Sequence, residues 1–148
     1  MFRGNNPATV DDKGRLKIPT AFQGALDEYG PKFFVTSLDA ISVRIYPLAE
    51  WEKVEARLAQ VQGEKDLNKA KREFLDRTNF WGQEERADPQ GRVLIPTLLR
   101  EAADIKGIVA VMGKGDHLEV GKVDKVKDLM NKPLSVEERD SLDTLGIW

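Results

Sequence analysis

The chain has no cysteine and only one histidine, His117. Without cysteine there is no disulfide framework and no thiolate-bound metal, and one histidine cannot build a histidine-rich metal cluster. We therefore expect neither a metal nor another cofactor.

Long apolar runs are also missing, since no stretch approaches the roughly 20 apolar residues that cross a bilayer. Residues 1–7 have no apolar core and no small-residue cleavage site, so they predict neither a signal peptide nor an anchor. Hydrophobic residues make up 41% of the chain and charged residues 32%, which is typical of a soluble globular protein. We expect a cytoplasmic location.

An excess of positive charge is the third absence. The formal net charge is -2, which argues against a protein that coats nucleic acid through a broad basic surface. Any contact with DNA is therefore expected to be local.

An internal repeat is present. Residues 11–20 align with residues 88–97 at an offset of 77, and six of the ten positions are identical. The shared residues are Asp, Gly, Arg, Ile, Pro and Thr, so each copy carries an Asp-x-x-Gly-Arg segment followed by Ile-Pro-Thr. A repeat of this length predicts two copies of one small unit.

Each copy continues in the same order. A helical segment (21–29 and 98–105) precedes a β-branched strand (33–36 and 108–111), a turn and another strand (42–46 and 117–120). Each Ile-Pro pair is expected to end a strand and begin a helix, because proline has no N–H to lose in a first turn. The unit is thus predicted to be strand, turn, strand, helix, strand, turn, strand.

Amphipathic helices are predicted at 48–62, with Trp51 on the buried stripe, at 65–79 as a connector, and at 123–130. Trp81 and Trp148 are assigned to neither core nor surface. Ser135 and Glu138 have the spacing of a capping box, which predicts a last helix to about Leu145.

The Asp-x-x-Gly segment is a hairpin signal, because the aspartate accepts backbone N–H bonds and the glycine adopts positive φ. Asp11, Gly14, Asp88 and Gly91 are therefore interpreted as turn-forming residues.

Hairpin geometry does not require arginine after the glycine, yet Arg15 and Arg92 occupy that position in both copies. A guanidinium can bind guanine O6 and N7 or a phosphate, and a β-ribbon fits the major groove, so we predict DNA contact. The alternative is a salt bridge to Asp11, to Asp88 or to an acid of a neighbouring chain. Lys13 and Lys17 have no basic counterpart in the second copy, so the first hairpin is expected to be the more basic and to attract phosphate more strongly, with Lys13 as a DNA-binding candidate.

The opening Met-Phe-Arg-Gly, the two Asp-x-x-Gly-Arg turns, the two Ile-Pro junctions and the segment Tyr-Pro-Leu-Ala-Glu-Trp at 46–51 resemble the MraZ family of bacterial regulators, which belongs to the AbrB-like, swapped-hairpin group. The resemblance extends from Met1 to about Met130. Gly121 and Val126 stand where relatives often carry aromatic residues, so the second unit looks reduced.

The resemblance implies an α+β, β-rich fold in which the duplicated unit forms one intertwined β-barrel flanked by helices. The expected divisions are a first unit at 5–50, a helical connector at 51–80, a second unit at 82–125 and a helical tail at 126–148.

The resemblance also implies function. It predicts a nucleoid-associated repressor and autoregulator that binds direct repeats of a G-rich promoter box before a cell-division and cell-wall gene cluster. It implies a ring-shaped homo-oligomer, which would hold many turns in register and so bind repeated boxes despite the acidic chain. The Asp-x-x-Gly-Arg residues, with Arg3 as a further candidate, would face double-stranded DNA.

Two other classes of function are compatible with parts of the sequence. An enzyme would have to use His117 with Asp116, or the acidic pairs 11/12 and 84/85, but no nucleophile elbow, phosphate loop or metal-ligand spacing accompanies them. No small-molecule substrate is expected. The other alternative is an antitoxin-like or structural interaction module of AbrB type.

Overall fold

The computed structural model describes all 148 residues. Eight strands and six helices alternate along the chain: β1 (Asn5–Val10), β2 (Arg15–Lys17), α1 (Thr20–Tyr29), β3 (Lys32–Thr36), β4 (Val43–Pro47), α2 (Leu48–Ala59), α3 (Lys65–Trp81), β5 (Gln83–Arg86), β6 (Arg92–Leu94), α4 (Thr97–Ala103), β7 (Gly107–Gly113), β8 (Leu118–Lys122), α5 (Val123–Met130) and α6 (Val136–Leu145).

All eight strands form one antiparallel sheet in the order β5-β3-β4-β8-β7-β1-β2-β6. The sheet curls into a nearly closed barrel, and the turn at 87–91 joins its two edge strands, β5 and β6. The strands of the two halves are interleaved, because β1 pairs with β7 and β5 pairs with β3. The predicted α+β class, with an intertwined barrel flanked by helices, is confirmed.

Strands β2 and β6 meet on a pseudo-twofold axis. Leu16 pairs with Val93, and these two residues also correspond to each other in the repeat. Side chains alternate between the faces of a strand, and both Leu16 and Val93 point into the barrel, where they are completely buried. The neighbouring residues Arg15, Lys17, Arg92 and Leu94 therefore point outward.

The barrel interior is filled mainly by aliphatic side chains from both halves, including Leu16, Ile18, Val35, Ile45, Val93, Ile95, Leu99, Val109, Val111, Leu118 and Val120. Helices α1 and α4 close it with Phe22, Leu26 and Ala103. Since neither half supplies a complete wall, the two repeats share one core.

A smaller cluster lies outside the barrel, between β3, β4 and the long helices. Trp51 is buried there and stacks on Phe34 at 4.7 Å and on Phe74 at 6.1 Å between ring centroids, so its predicted burial is confirmed. In the second half, a Cβ added at Gly121 would overlap Val126, so the glycine lets α5 pack closely on β8. Trp81 packs partly against the barrel core, whereas Trp148 is exposed.

Helix ends follow local chemistry. Helices α1 and α4 begin directly after Pro19 and Pro96, whose φ angles of -56° and -53° suit a helix start, which confirms the prediction for the Ile-Pro junctions. The capping box of Ser135 and Glu138 and the helix to Leu145 are also confirmed. By contrast, α2 ends at Ala59, before the predicted limit, and α3 continues to Trp81.

None of the helices combines the length and apolarity needed to cross a membrane.

Replacing Leu16 with alanine tests the shared core. We expect a loss of about 2–5 kcal/mol in the free energy of unfolding, because Leu16 is wholly buried where the two halves meet. Leu98→Ala is the matched control, since Leu98 is half exposed on α4 and its removal should cost less than about 1 kcal/mol. Urea unfolding would measure both, and equal losses would contradict the shared core.

Candidate nucleic-acid interface

The first Asp-x-x-Gly-Arg segment forms a tight turn between β1 and β2. The Asp11 carboxylate accepts hydrogen bonds from the backbone N–H groups of Lys13 and Arg15, both at 3.0 Å. Gly14 has a φ of 84°, in the left-handed region that favours glycine, and its N–H donates to the Asp11 carbonyl oxygen at 2.9 Å. The carboxylate thus holds the turn from within.

The second segment repeats this geometry between β5 and β6. Asp88 accepts from the N–H groups of Gln90 and Arg92 at 2.9 Å, and Gly91 has a φ of 75°. The turns also bind each other's strands: the N–H of Ile95 donates to the Gly14 carbonyl, and that of Ile18 donates to the Gly91 carbonyl. Each turn is therefore fixed by the other half of the chain.

The β2–β6 register brings the two arginines together. Arg15 lies opposite Leu94 and Arg92 lies opposite Lys17, so both guanidinium groups stand on the outer face of one two-stranded ribbon. Asp11 lies between them, with its Oδ2 atom 2.8 Å from Arg15 Nε and 4.0 Å from Arg92 Nη1. We name this outer face, formed by Arg15, Lys17, Arg92, Leu94 and the two turns, the cationic ribbon.

Each arginine makes the salt bridge that the sequence left open as an alternative. The Nε atom of Arg15 donates to Asp11, and that of Arg92 donates to Asp88 at 2.6 Å. The side chains remain 33% and 27% exposed, and their Nη groups make no hydrogen bond within the chain. The aspartates therefore orient the guanidinium groups and leave the Nη ends without a hydrogen bond, although Arg92 Nη1 lies 4.0 Å from the Asp11 carboxylate.

The turn aspartates have lowered pKa values. The main cause at Asp11 is the hydrogen bond from the backbone N–H of Arg15, and at Asp88 it is that from the N–H of Arg92. The arginine side chains lower the pKa of both carboxyls further. Both groups therefore favour the ionised state that the turn requires.

Lys17 lies in β2 of the first hairpin, and its side chain crosses to the second turn. Its Nζ atom donates to the Gln90 carbonyl in the second turn, not to the first hairpin. Antiparallel pairing thus carries this side chain across to the other repeat, while the expectation that the first hairpin is the more basic stays a prediction.

The other two proposed DNA-binding residues lie in different places. Lys13 is exposed at the tip of the first turn. Arg3 is exposed at the far end of β1, whose six residues at about 3.3 Å each place it roughly 20 Å from that turn. The structure thus brings Lys13 to the cationic ribbon and separates Arg3 from it within one chain.

Sequence reasoning missed Arg100 at this site. Its Nε atom donates to the Ile95 carbonyl at 2.8 Å, and its guanidinium covers Gly14, where an added Cβ would overlap it. The corresponding residue of the first half, Gln23, donates to the Ile18 carbonyl at 3.1 Å and lies beside Gly91. Extending the repeat by three residues past Thr20 would have paired Gln23 with Arg100.

The residues that an enzyme would have to use do not form a catalytic group around His117 or around Glu84 and Glu85. His117 is buried and stacks on Tyr46 at 4.6 Å, and its Nδ1 atom lies 2.7 Å from the Asp116 carboxylate. Burial lowers the pKa of His117 and favours the neutral ring. Glu84 and Glu85 follow one another in β5, so they point to opposite faces and form no pair. No group of three or more His, Asp or Glu side chains is placed to hold a metal ion.

The fold and the site define a class of protein: an internally duplicated α+β barrel with a cationic two-stranded ribbon on its surface. A family model described as "MraZ protein, putative antitoxin-like" matches residues 1–76 and 82–140. The chain belongs to the MraZ family.

Curated relatives carry the name "Transcriptional regulator MraZ". The protein of Acidobacterium capsulatum is 48% identical over 99% of this chain and its own full length. That of Koribacter versatilis is 43% identical over the same shares, and that of Leuconostoc mesenteroides is 38% identical over 81% of this chain and 80% of its own length. A transcriptional regulator is not a class of enzyme.

Gly14→Ala tests the packing of the first turn. We expect a loss of about 1–3 kcal/mol, because alanine resists the positive φ and its methyl group would displace Arg100. Gly24→Ala is the matched control: Gly24 lies in α1 with open space around it, so alanine should be neutral or stabilise the helix by about 0.5–1 kcal/mol. Thermal unfolding compares the two, and a harmless Gly14→Ala would contradict the geometry.

The turn aspartates predict acid sensitivity. Their folded pKa values lie below the unfolded value of about 3.9, so their stabilisation is complete above that pH and is lost as the pH falls through the folded pKa. The double variant Asp11→Asn/Asp88→Asn should lose less stability than the wild type between about pH 5 and pH 3. Urea midpoints across this range measure the difference. Asp140→Asn, on the exposed face of α6, should follow the wild type, and parallel curves for all three proteins would contradict the assignment.

Proposed function

We propose that this chain is a DNA-binding transcriptional regulator that contacts double-stranded DNA through the cationic ribbon. The observation that carries the proposal is the presence of Arg15 and Arg92 on one outer face, with both Nε atoms held by aspartates and no hydrogen bond to either Nη end. The names of the relatives support the same class of function.

The cationic ribbon has a shape suited to recognition of the DNA major groove. A two-stranded β-ribbon fits the groove, and a guanidinium can give two parallel hydrogen bonds to guanine O6 and N7. Since Asp11 and Asp88 bind the Nε atoms, each Nη pair is oriented before DNA arrives, which lowers the entropic cost of contact. Each such contact contributes about 1–3 kcal/mol of discrimination, so a G-rich box is the expected target.

Assembly into a ring of identical chains would allow an acidic chain to bind DNA tightly. One chain with a net charge of -2 offers few cations to DNA. Several ribbons held in register raise the effective concentration at each repeat of a direct G-rich array, so the array binds more tightly than one box. Arg3, far from the ribbon of its own chain, is proposed as a contact outside the box.

The regulated genes follow from the family resemblance. We propose that the chain represses its own promoter, and with it a cell-division and cell-wall gene cluster, and that it is located at the nucleoid. The proposed division of labour is two repeats, at 5–50 and 82–125, that bind DNA, with the helical segments at 51–80 and 126–148 outside the DNA contact.

The alternative is an antitoxin-like or structural interaction module, a reading that the description of the family model shares. An antitoxin would use its surface to mask a protein partner. The regulator is proposed to bind DNA, whereas the interaction module would bind a protein. Binding of DNA by the purified chain therefore favours the regulator.

Arginine substitutions test the proposal. Arg15→Ala and Arg92→Ala should each weaken binding to a duplex with repeated G-rich boxes at least tenfold and reduce the preference over a scrambled duplex, because each removes a guanidinium from the base-reading face. Fluorescence anisotropy with labelled duplexes measures both quantities. Arg139→Ala, in exposed α6, is the control and should bind like the wild type.

Two results would count against the account. If the wild type binds neither duplex at low salt, the DNA-binding function is wrong. If it binds but both arginine variants retain full affinity and preference, the function stands and the cationic ribbon is not the contact surface.

A further inference from the structure

Taken by themselves, the two turns carry no net positive charge. In the first turn, Asp11 and Asp12 offset Lys13 and Arg15. In the second turn, Asp88 offsets Arg92. A neutral loop attracts phosphates weakly, so the ribbon needs cations from outside the turns.

The structure places one additional cation at each turn, and in both cases it comes from the other repeat. Arg100, in α4 of the second half, covers Gly14 of the first turn. Lys17, in β2 of the first half, donates through Nζ to the Gln90 carbonyl of the second turn. The antiparallel β2–β6 pairing brings Lys17 across, and α4, which follows β6 in the chain, brings Arg100.

Neither cation is neutralised by a carboxylate. Arg100 donates only to oxygen atoms without charge, the Ile95 carbonyl and the Thr97 hydroxyl at 2.9 Å, and Lys17 only to a carbonyl. No acidic side chain lies within salt-bridge distance of either group. Both groups thus add a full positive charge to the turn they contact.

We infer that Arg100 and Lys17 bind DNA phosphates. Arg100 of the second repeat serves the first turn, and Lys17 of the first repeat serves the second turn. This inference rests on the proposed DNA binding and adds a division of labour to it. Arg15 and Arg92 read bases, while Arg100 and Lys17 bind the backbone beside them. Each half of the chain is consequently incomplete as a DNA-binding unit.

The repeat supplies its own matched substitutions. Arg100→Gln installs the residue found at the corresponding position 23, where glutamine makes the same bond to an isoleucine carbonyl, and Lys17→Leu installs the counterpart at position 94. Both variants should therefore fold, which circular dichroism and thermal unfolding confirm before binding is measured. Arg100→Lys keeps the charge and should retain the phosphate contact.

Binding across a salt series is the test, with anisotropy measured on the G-rich duplex and on a scrambled duplex. For each chain that contacts the duplex, Arg100→Gln and Lys17→Leu should each lower the slope of log affinity against log salt by about one and weaken binding about fivefold to tenfold near 0.1 M salt. The ratio of the two affinities should not change, because phosphate contacts are common to both sequences. Gln23→Arg adds a guanidinium beside Gly91 and should raise the slope.

The possible results distinguish a failure of this inference from a failure of the proposed DNA-binding function. Wild-type binding that is lost in Arg15→Ala, together with unchanged slopes in Arg100→Gln and Lys17→Leu, would overturn the inference and leave the function intact. A changed affinity ratio with an unchanged slope would assign these residues to base reading and also overturn it. If Arg100→Gln does not fold, an unchanged slope in Gln23→Arg decides against the inference.

Discussion

The antiparallel pairing of β2 with β6 is the contact on which the rest of the structure depends. It joins the two repeats at Leu16 and Val93, and it exchanges hydrogen bonds between each isoleucine N–H and the glycine carbonyl of the other turn. The pairing buries the middle residue of each strand in the core and turns its two neighbours outward. The same six residues therefore contribute both to the core and to the cationic ribbon. A substitution that shifted this register by one residue would expose the apolar pair and bury charge.

The charges of the ribbon follow from the same pairing. Asp11 and Asp88 are needed inside the turns for backbone N–H groups, yet they neutralise the arginines that end those turns. The β2–β6 pairing brings the positive charge of Lys17 to the second turn, and α4 brings that of Arg100 to the first turn. These charges compensate for the aspartates. A chain with a net charge of -2 thereby acquires one locally positive face, which is sufficient if several copies act together on repeated sites.

Much of the fold was predictable because the repeat, the turn chemistry and the Ile-Pro junctions are local signals. The order of elements and the capping box at Ser135 needed only short-range rules. The side-chain partners of Lys17 and Arg100 could not be predicted in that way, because strand register and the packing of α4 on a distant turn bring together residues more than 70 positions apart. The roles of Arg15 and Arg92 in DNA binding remain predictions of the arginine pattern and of the geometry of the ribbon.

The central claim is that both turns of one chain contact the same DNA, and site-specific photocross-linking tests it most directly. A photoreactive amino acid at position 13 and another at position 90 should each form adducts with a duplex that carries repeated G-rich boxes. The same probe at Glu52, on α2, is the reference and should form none, because α2 packs at the outer cluster of Trp51. Adducts at both turns and none at α2 are the predicted result. Adducts from one turn alone, or from α2 in place of the turns, would contradict the account.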